Sequence, residues 1–220
     1  MATYLPWTTR QTLFFSRRGP APPISAFDHC KEYECMDQAE DVKRRLMDGN
    51  GLFKSTADPC MLSKLSKKQE PFVAILACSD SRVDPEKVFN LSLGSAFVVR
   101  TAGNCASDPS VLGSLEYATA HLGIKAIVVM GHTGCGAVKA SCECCDVANL
   151  KSVMADIDVA KSTLKGLDAK DQDKVAETNV RVQMRRLVDC SAVIGEAVRK
   201  ERLAVYGAMF DIQTGAVRFV

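Results

Sequence analysis

No apolar stretch in this sequence is long enough to cross a bilayer. The longest uninterrupted runs, Phe72–Cys78 and Ala126–Met130, hold seven and five residues, against the ~20 that a spanning helix needs. A surplus of charge of one sign is also lacking. The 28 basic and 26 acidic residues leave a net +2, which gives no footing for nucleic acid or an anionic membrane. Neither is expected as a partner. Histidine is scarce, with His29, His121 and His132 the complete set, and internal repeats are absent. Acidic residues are missing before Asp28, where Arg10, Arg17 and Arg18 stand among Ser and Thr, followed by Pro20, Pro22 and Pro23. That composition fits an organelle transit peptide or an arm that wraps a partner. Residues 1–27 are therefore read as an extension and residues 28–220 as a single domain.

Cysteine is abundant: ten residues, at 30, 35, 60, 78, 105, 135, 142, 144, 145 and 190. A 220-residue chain buries enough core to need no disulfide staples, and no secretory apolar segment opens it. Reduced thiols in an intracellular protein are expected, each a core residue or a metal ligand. The compartment is cytoplasmic, or mitochondrial or plastid if the extension is a transit peptide.

A polar helix is expected over Glu40–Met47, stopping at Gly49–Gly51. Phe72–Ala77 is apolar at every position, as a parallel strand covered on both faces is. Asp84-Pro85 opens a short helix, and Ala96–Arg100 reads as a second strand. Asp108-Pro109 caps a helix with Val111, Leu115, Ala118 and Leu122 at helical spacing, and Gly123 ends it. The third strand is Ala126–Met130. Strand, helix and strand with short joints make a crossover, so the second and third strands run parallel. Past residue 146 the pattern is helical and charged to about Asp173, and a further helix carries Val180, Met184, Leu187 and Val188. Leu203–Asp211 is a last core strand, and Thr214-Gly215 turns into a short edge strand, Val217–Val220. The fold class is α/β: a mostly parallel β-sheet flanked by helices, with a short antiparallel edge strand and an N-terminal helical arm.

Cys78-Ser-Asp-Ser-Arg82 follows the first strand, and Gly131-His-Thr-Gly-Cys-Gly136 follows the third. Both segments leave carboxyl ends of parallel strands, where open α/β sheets hold ligands. Cys78, His132 and Cys135 offer two thiolates and an imidazole, a donor set that suits zinc, and three donors leave one position for water. Gly131, Gly134 and Gly136 are expected to let the backbone bend around the metal. Two thiolates neutralise Zn²⁺, so it acidifies water less than an all-histidine site would. Arg82 restores positive charge and can hold Asp80 through a bidentate pair. Asp80 can then accept the hydroxide's proton in a hydrogen bond and aim the oxygen at a carbon electrophile.

These two motifs closely resemble the signatures of β-class carbonic anhydrases. The resemblance extends to Gln69-Glu-Pro71, Phe97-Val-Val-Arg-Thr-Ala-Gly-Asn104, Ser114-Leu-Glu-Tyr117, Tyr206-Gly207 and Thr214-Gly215, and covers roughly residues 40–220. It implies one Zn²⁺ per chain on Cys78, His132 and Cys135, with Asp80 and Arg82 as catalytic dyad and Asp80 able to close the fourth position. It implies reversible hydration of carbon dioxide to bicarbonate and a proton, by attack of zinc-bound hydroxide. Gln69 stands as a substrate-binding candidate. Assembly as homodimers or multiples of dimers is implied, with helices within residues 26–66 wrapped across the neighbour. Thr101 departs from the family, many of whose members have Asn there. A carbonyl sulfide or carbon disulfide hydrolase shares the same metal set, and a non-catalytic zinc scaffold or bicarbonate sensor is the alternative from another class.

Other residues carry plainer expectations. Cys142, Cys144 and Cys145 are read as thiols ending the helix after the second motif, and Cys105 as a small core residue. His121 is read as structural or exposed, Tyr117 as packing, and Phe89 and Phe97 as core or as walls of an apolar slot for substrate.

Overall fold

The computed structural model describes residues 32–143 and 149–220. Cys30, Cys144, Cys145 and the N-terminal extension lie outside them. Contacts divide the chain into two units, Met1–Asp58 and Pro59–Val220. No helix among the described residues is long and apolar enough to cross a membrane.

The first unit holds one described helix, α1 (Glu32–Thr56). The expected stop at Gly49–Gly51 is absent, because neither glycine takes the left-handed φ that a helix-ending glycine needs. Each costs about 1 kcal/mol against alanine, and the helix-favouring neighbours Arg44, Arg45, Leu46, Met47 and Leu52 outweigh that.

In the second unit the helices are α2 (Pro59–Leu65), α3 (Pro85–Val88), α4 (Pro109–His121), α5 (Gly136–Cys142), α6 (Leu150–Thr163), α7 (Gln172–Cys190) and α8 (Ala192–Arg199). The strands are β1 (Val73–Cys78), β2 (Ala96–Thr101), β3 (Ala126–His132), β4 (Ala204–Phe210) and β5 (Val217–Phe219). They form one sheet in the order β2-β1-β3-β4-β5. The first four strands are parallel, and β5 joins β4 antiparallel as the edge.

The local signals act as read. Asp84 and Asp108 cap their helices, accepting from the N–H groups of Lys87 and Ser110, and Gly123 leaves α4 with φ +66°. Missing from the sequence reading is the break between α7 and α8. Ser191 takes an extended conformation there, and its hydroxyl accepts from Ile194 N–H as the new N-cap.

All six residues of β1 are buried, because both faces of the sheet are covered. On one face Ala74, Leu76, Ile127 and Val129 pack with Leu115, Ile157, Val180, Leu187 and Ile194 from the helices. On the other, Val73, Ile75, Ala77, Val128 and Met130 pack with Val83 and Phe210. Burying each large aliphatic side chain is worth about 1.5–3 kcal/mol, so the paired cores fix which strand ends meet. β1 lies between β2 and β3: the α4 crossover therefore passes over β1, and β2 and β3 are parallel without touching. Chain direction across the sheet reverses at β1/β3, and at such a point the loops leaving the two strands part to leave a crevice at their carboxyl ends.

Candidate metal centre

Both chemistry-bearing segments lie at those carboxyl ends. Cys78 is the last residue of β1, His132 the last of β3, and Cys135 directly precedes α5. Their donor atoms all lie within 4.8 Å of one another, and all three residues are buried. The two sulfurs are 3.9 Å apart.

His132 is fully buried. Its Nδ1 lies 3.0 Å from the Thr133 carbonyl oxygen, which places the ring proton on Nδ1 and leaves a lone pair on Nε2. That Nε2 is buried with no hydrogen-bond partner, a cost of about 1–3 kcal/mol if nothing binds it. The thiols add a second sign. The Cys135 thiol beside it pulls the Cys78 thiol down to about 4 against the upward push of burial, and Gly103 N–H, 3.4 Å from Sγ, helps. Cys78 in turn, with burial, holds the Cys135 thiol well above its ordinary range. An orphaned imidazole nitrogen facing two thiols is a set that fits a soft divalent metal.

Asp80 and Arg82 form the pair read from their spacing. Asp80 Oδ1 accepts from the backbone N–H and Nε–H of Arg82, both at 3.0 Å, and Oδ2 accepts from Nη2–H at 2.7 Å. These bonds hold the carboxylate well below its usual range. Arg82 Nη2 also donates to Gly134 O at 3.1 Å, tying the first motif to the second. Asp80 Oδ2 lies 4.0 Å from His132 Nε2, at the edge of the donor set and outside it.

The three motif glycines have different tasks. Gly134 takes φ +60°, the left-handed turn that brings Cys135 back toward His132. At Gly131 a Cβ would meet Val180 Cγ2 at 2.7 Å and Met209 Sδ at 2.9 Å, so this glycine admits α7 against β3 and does no bending. Gly136 opens α5 with free space around it.

Gln69 does not join the cluster. It is exposed and precedes the amino end of β1, beside a shallow pocket it shares with Tyr117, His121 and Leu122. The donors sit at the opposite end of that six-residue strand, ~20 Å away at ~3.3 Å per residue. Phe97 pairs with Ala74 in the β1–β2 register and meets Tyr117 in a tilted ring contact, centroids 6.4 Å apart. Phe89 packs on the core of the opposite face. Cys105 is buried, and desolvation with Asp156 nearby pushes its thiol up to about 12. It stays protonated, as a core residue should. Cys142 ends α5 as expected.

Four polar residues escaped the sequence reading. Arg100 donates from Nε to Cys78 O at 3.0 Å and from Nη2 to Asp80 O at 2.7 Å. Asp173 accepts Gly134 N–H at 2.9 Å. Asn179 and Gln183 reach the 103–106 loop from α7. The signal for Arg100 was a cation ending an apolar strand. For the two amides it was polar residues inside the apolar stripe of Val175, Ala176, Val180 and Leu187.

Comparison with known proteins agrees with this geometry. A family model described as carbonic anhydrase matches residues 73–217, about two thirds of the chain. Carbonic anhydrase 2 of Mycobacterium tuberculosis is 38% identical over 161 residues, 69% of this chain and 75% of its own length. A Coccomyxa β-carbonic anhydrase structure, solved with acetazolamide, is 30% identical with TM-score 0.65, covering 83% of this chain and 85% of its own. This chain belongs to the β-carbonic anhydrase family. A tetrameric β-carbonic anhydrase from the ascomycete Sordaria macrospora, 25% identical, aligns with TM-score 0.71 over 82% of this chain and 97% of its own. Family membership makes the protein a lyase of the carbonate dehydratase type.

Proposed function

We propose that this enzyme interconverts carbon dioxide and bicarbonate, CO₂ + H₂O ⇌ HCO₃⁻ + H⁺, with one zinc ion per chain held by Cys78, His132 and Cys135. The observation that carries the reading is the buried, partnerless His132 Nε2 facing two thiols beside the Asp80–Arg82 pair. Bound there, zinc supplies the Lewis acidity that makes water a nucleophile near neutral pH.

The chain's own residues do the rest. Thr133 O orients the His132 ring so that Nε2 faces the metal. Cys78 and Cys135, both ionised once a cation is present, cancel its charge and weaken its pull on water. The Arg82 guanidinium counters this with positive charge nearby. Asp80, held ionised by three hydrogen bonds from Arg82, accepts a hydrogen bond from the attacking water and turns an oxygen lone pair toward the CO₂ carbon.

Gln69 reaches substrate only in the site of a second copy, given its place at the far end of β1. Its role thus goes with assembly as a homodimer or a multiple of dimers, in line with the tetrameric Sordaria relative. The apolar side chains Val42, Leu46 and Leu52, exposed on α1, suit an arm laid on that second copy. An intracellular setting keeps the two donor thiols reduced.

Stopped-flow CO₂ hydration by metal-replete protein, run beside sulfide release from carbonyl sulfide and carbon disulfide, tests the reading. Rapid CO₂ hydration with little sulfide is expected. Sulfide release without CO₂ hydration would reassign the substrate, and silence in both assays would favour a zinc scaffold or bicarbonate sensor.

A further inference from the structure

α7 buries two amides where its neighbours are apolar. Asn179 is 1% exposed and Gln183 0%, in one stripe with Val175, Ala176, Val180 and Leu187. A buried amide is tolerated when every strong hydrogen-bonding group is used, and here the partners form a chain leading to the metal centre. Gln183 Nε2 donates to Asn179 Oδ1 at 2.9 Å, one helical turn earlier. Asn179 Nδ2 donates to Gly103 O at 2.8 Å, and Gln183 Oε1 accepts from Ala106 N at 3.0 Å. Gly103, clamped at its carbonyl, has φ +68° and sends its own N–H to Cys78 Sγ at 3.4 Å. Cys105 Sγ adds a weak contact to the same carbonyl at 3.5 Å.

We propose that Asn179 and Gln183 are positioning residues for the metal centre: they fix Gly103 so that its N–H donates to the Cys78 sulfur, and so set the affinity of the site for its metal. The idea rests on Cys78 being a metal ligand. An N–H held on a thiolate withdraws electron density from the sulfur and fixes its direction, two ways in which groups behind a ligand tune a metal. A loop bonded only for stability would need its Gly103 carbonyl and Ala106 N–H satisfied, and nothing more. The placement of Gly103 N–H on Cys78 distinguishes the two roles.

The test is zinc affinity by competition with a chromophoric chelator, together with the sulfur-to-cobalt charge-transfer band of Co²⁺-loaded protein. Asn179→Leu keeps the size and removes the clamp. It should weaken zinc binding by about 10–100-fold and shift the band. Leu187→Ala, a core truncation on the same helix, should leave both near wild type. Asn179→Leu that binds zinc within about twofold of wild type, with an unshifted band, overturns the proposal. Should that variant not fold, Gln183→Met is read the same way. The wild-type protein loaded with ¹¹³Cd gives an independent reading, since an N–H···S bond transmits a scalar coupling between the metal and the Gly103 amide proton. Absence of that coupling in metal-bound protein also overturns the proposal. Wild-type protein that binds no metal would instead overturn the assignment of Cys78.

Discussion

Arg100→Met cuts the two side-chain hydrogen bonds from the end of β2 to the first motif. Nε donates to Cys78 O at 3.0 Å and Nη2 to Asp80 O at 2.7 Å, so one guanidinium grips the backbone of a proposed ligand and of the proposed catalytic aspartate two residues on. Methionine keeps most of the apolar stem. A hydrogen bond from a charged group is worth about 1.5–3 kcal/mol net. Arg100 is exposed, so water replaces part of what is lost, and the pair together should contribute about 2–3 kcal/mol. For a chain of this size that is about 5–10 °C in Tm. Urea denaturation of the metal-free variant, followed by circular dichroism, reads the loss. Zinc affinity should fall as well, by about tenfold or more, because Cys78 is no longer anchored from behind. A variant within about 0.5 kcal/mol of wild type and with unchanged zinc affinity would refute the reasoning.

Other outcomes follow from the same geometry. Asp80→Ala should keep its metal, since Asp80 lies outside the donor set, and lose about 10²–10⁴-fold in turnover, or roughly 3–5 kcal/mol. Unchanged stopped-flow kinetics would remove Asp80 from the mechanism. Gly131→Ala places a Cβ 2.7 Å from Val180 Cγ2 and should destabilise the fold by about 1–3 kcal/mol, read by urea denaturation; a neutral result would show that α7 yields there. Cys105 gives a pH signature. Its thiol is raised to about 12 from an ordinary 9.0, so the unfolded chain loses this proton first. The stability it contributes is complete below about pH 9 and is lost as pH rises toward 12, by at most ~1.4 kcal/mol per pH unit. Metal-free Cys105→Ala should lack that decline above about pH 9, and parallel curves for the two proteins from about pH 9 to about pH 11 would contradict it.

The features legible in the sequence were those with short-range causes. β1 and β3 announced themselves because a strand covered on both faces must be apolar throughout, and α3 and α4 because Asp-Pro sets an N-cap and a first helical residue. Cys78, Asp80 and Arg82 lie within five residues, as do His132 and Cys135, so their association survived the unknown topology. The strand order was not legible: nothing local says that β1 inserts between β2 and β3, and that insertion is what brings Cys78 beside His132. Asn179 is 76 residues from Gly103, and Gln183 is 77 from Ala106, so their meeting depends on α7 crossing the sheet. Gln69 shows what position along a strand can tell. It precedes β1, while the donors stand at or just beyond the carboxyl ends of β1 and β3, a disposition that already set it at the opposite end from the donors of its own chain.

X-ray absorption at the zinc edge, on protein purified without added metal and loaded with one equivalent of zinc, tests the central claim most directly. Two sulfurs at about 2.3 Å and one imidazole nitrogen at about 2.0–2.1 Å, with a single further light atom, are the predicted shell. A shell without sulfur, or one built of four sulfurs, would contradict the assignment of Cys78, His132 and Cys135 as the three protein ligands of a catalytic zinc.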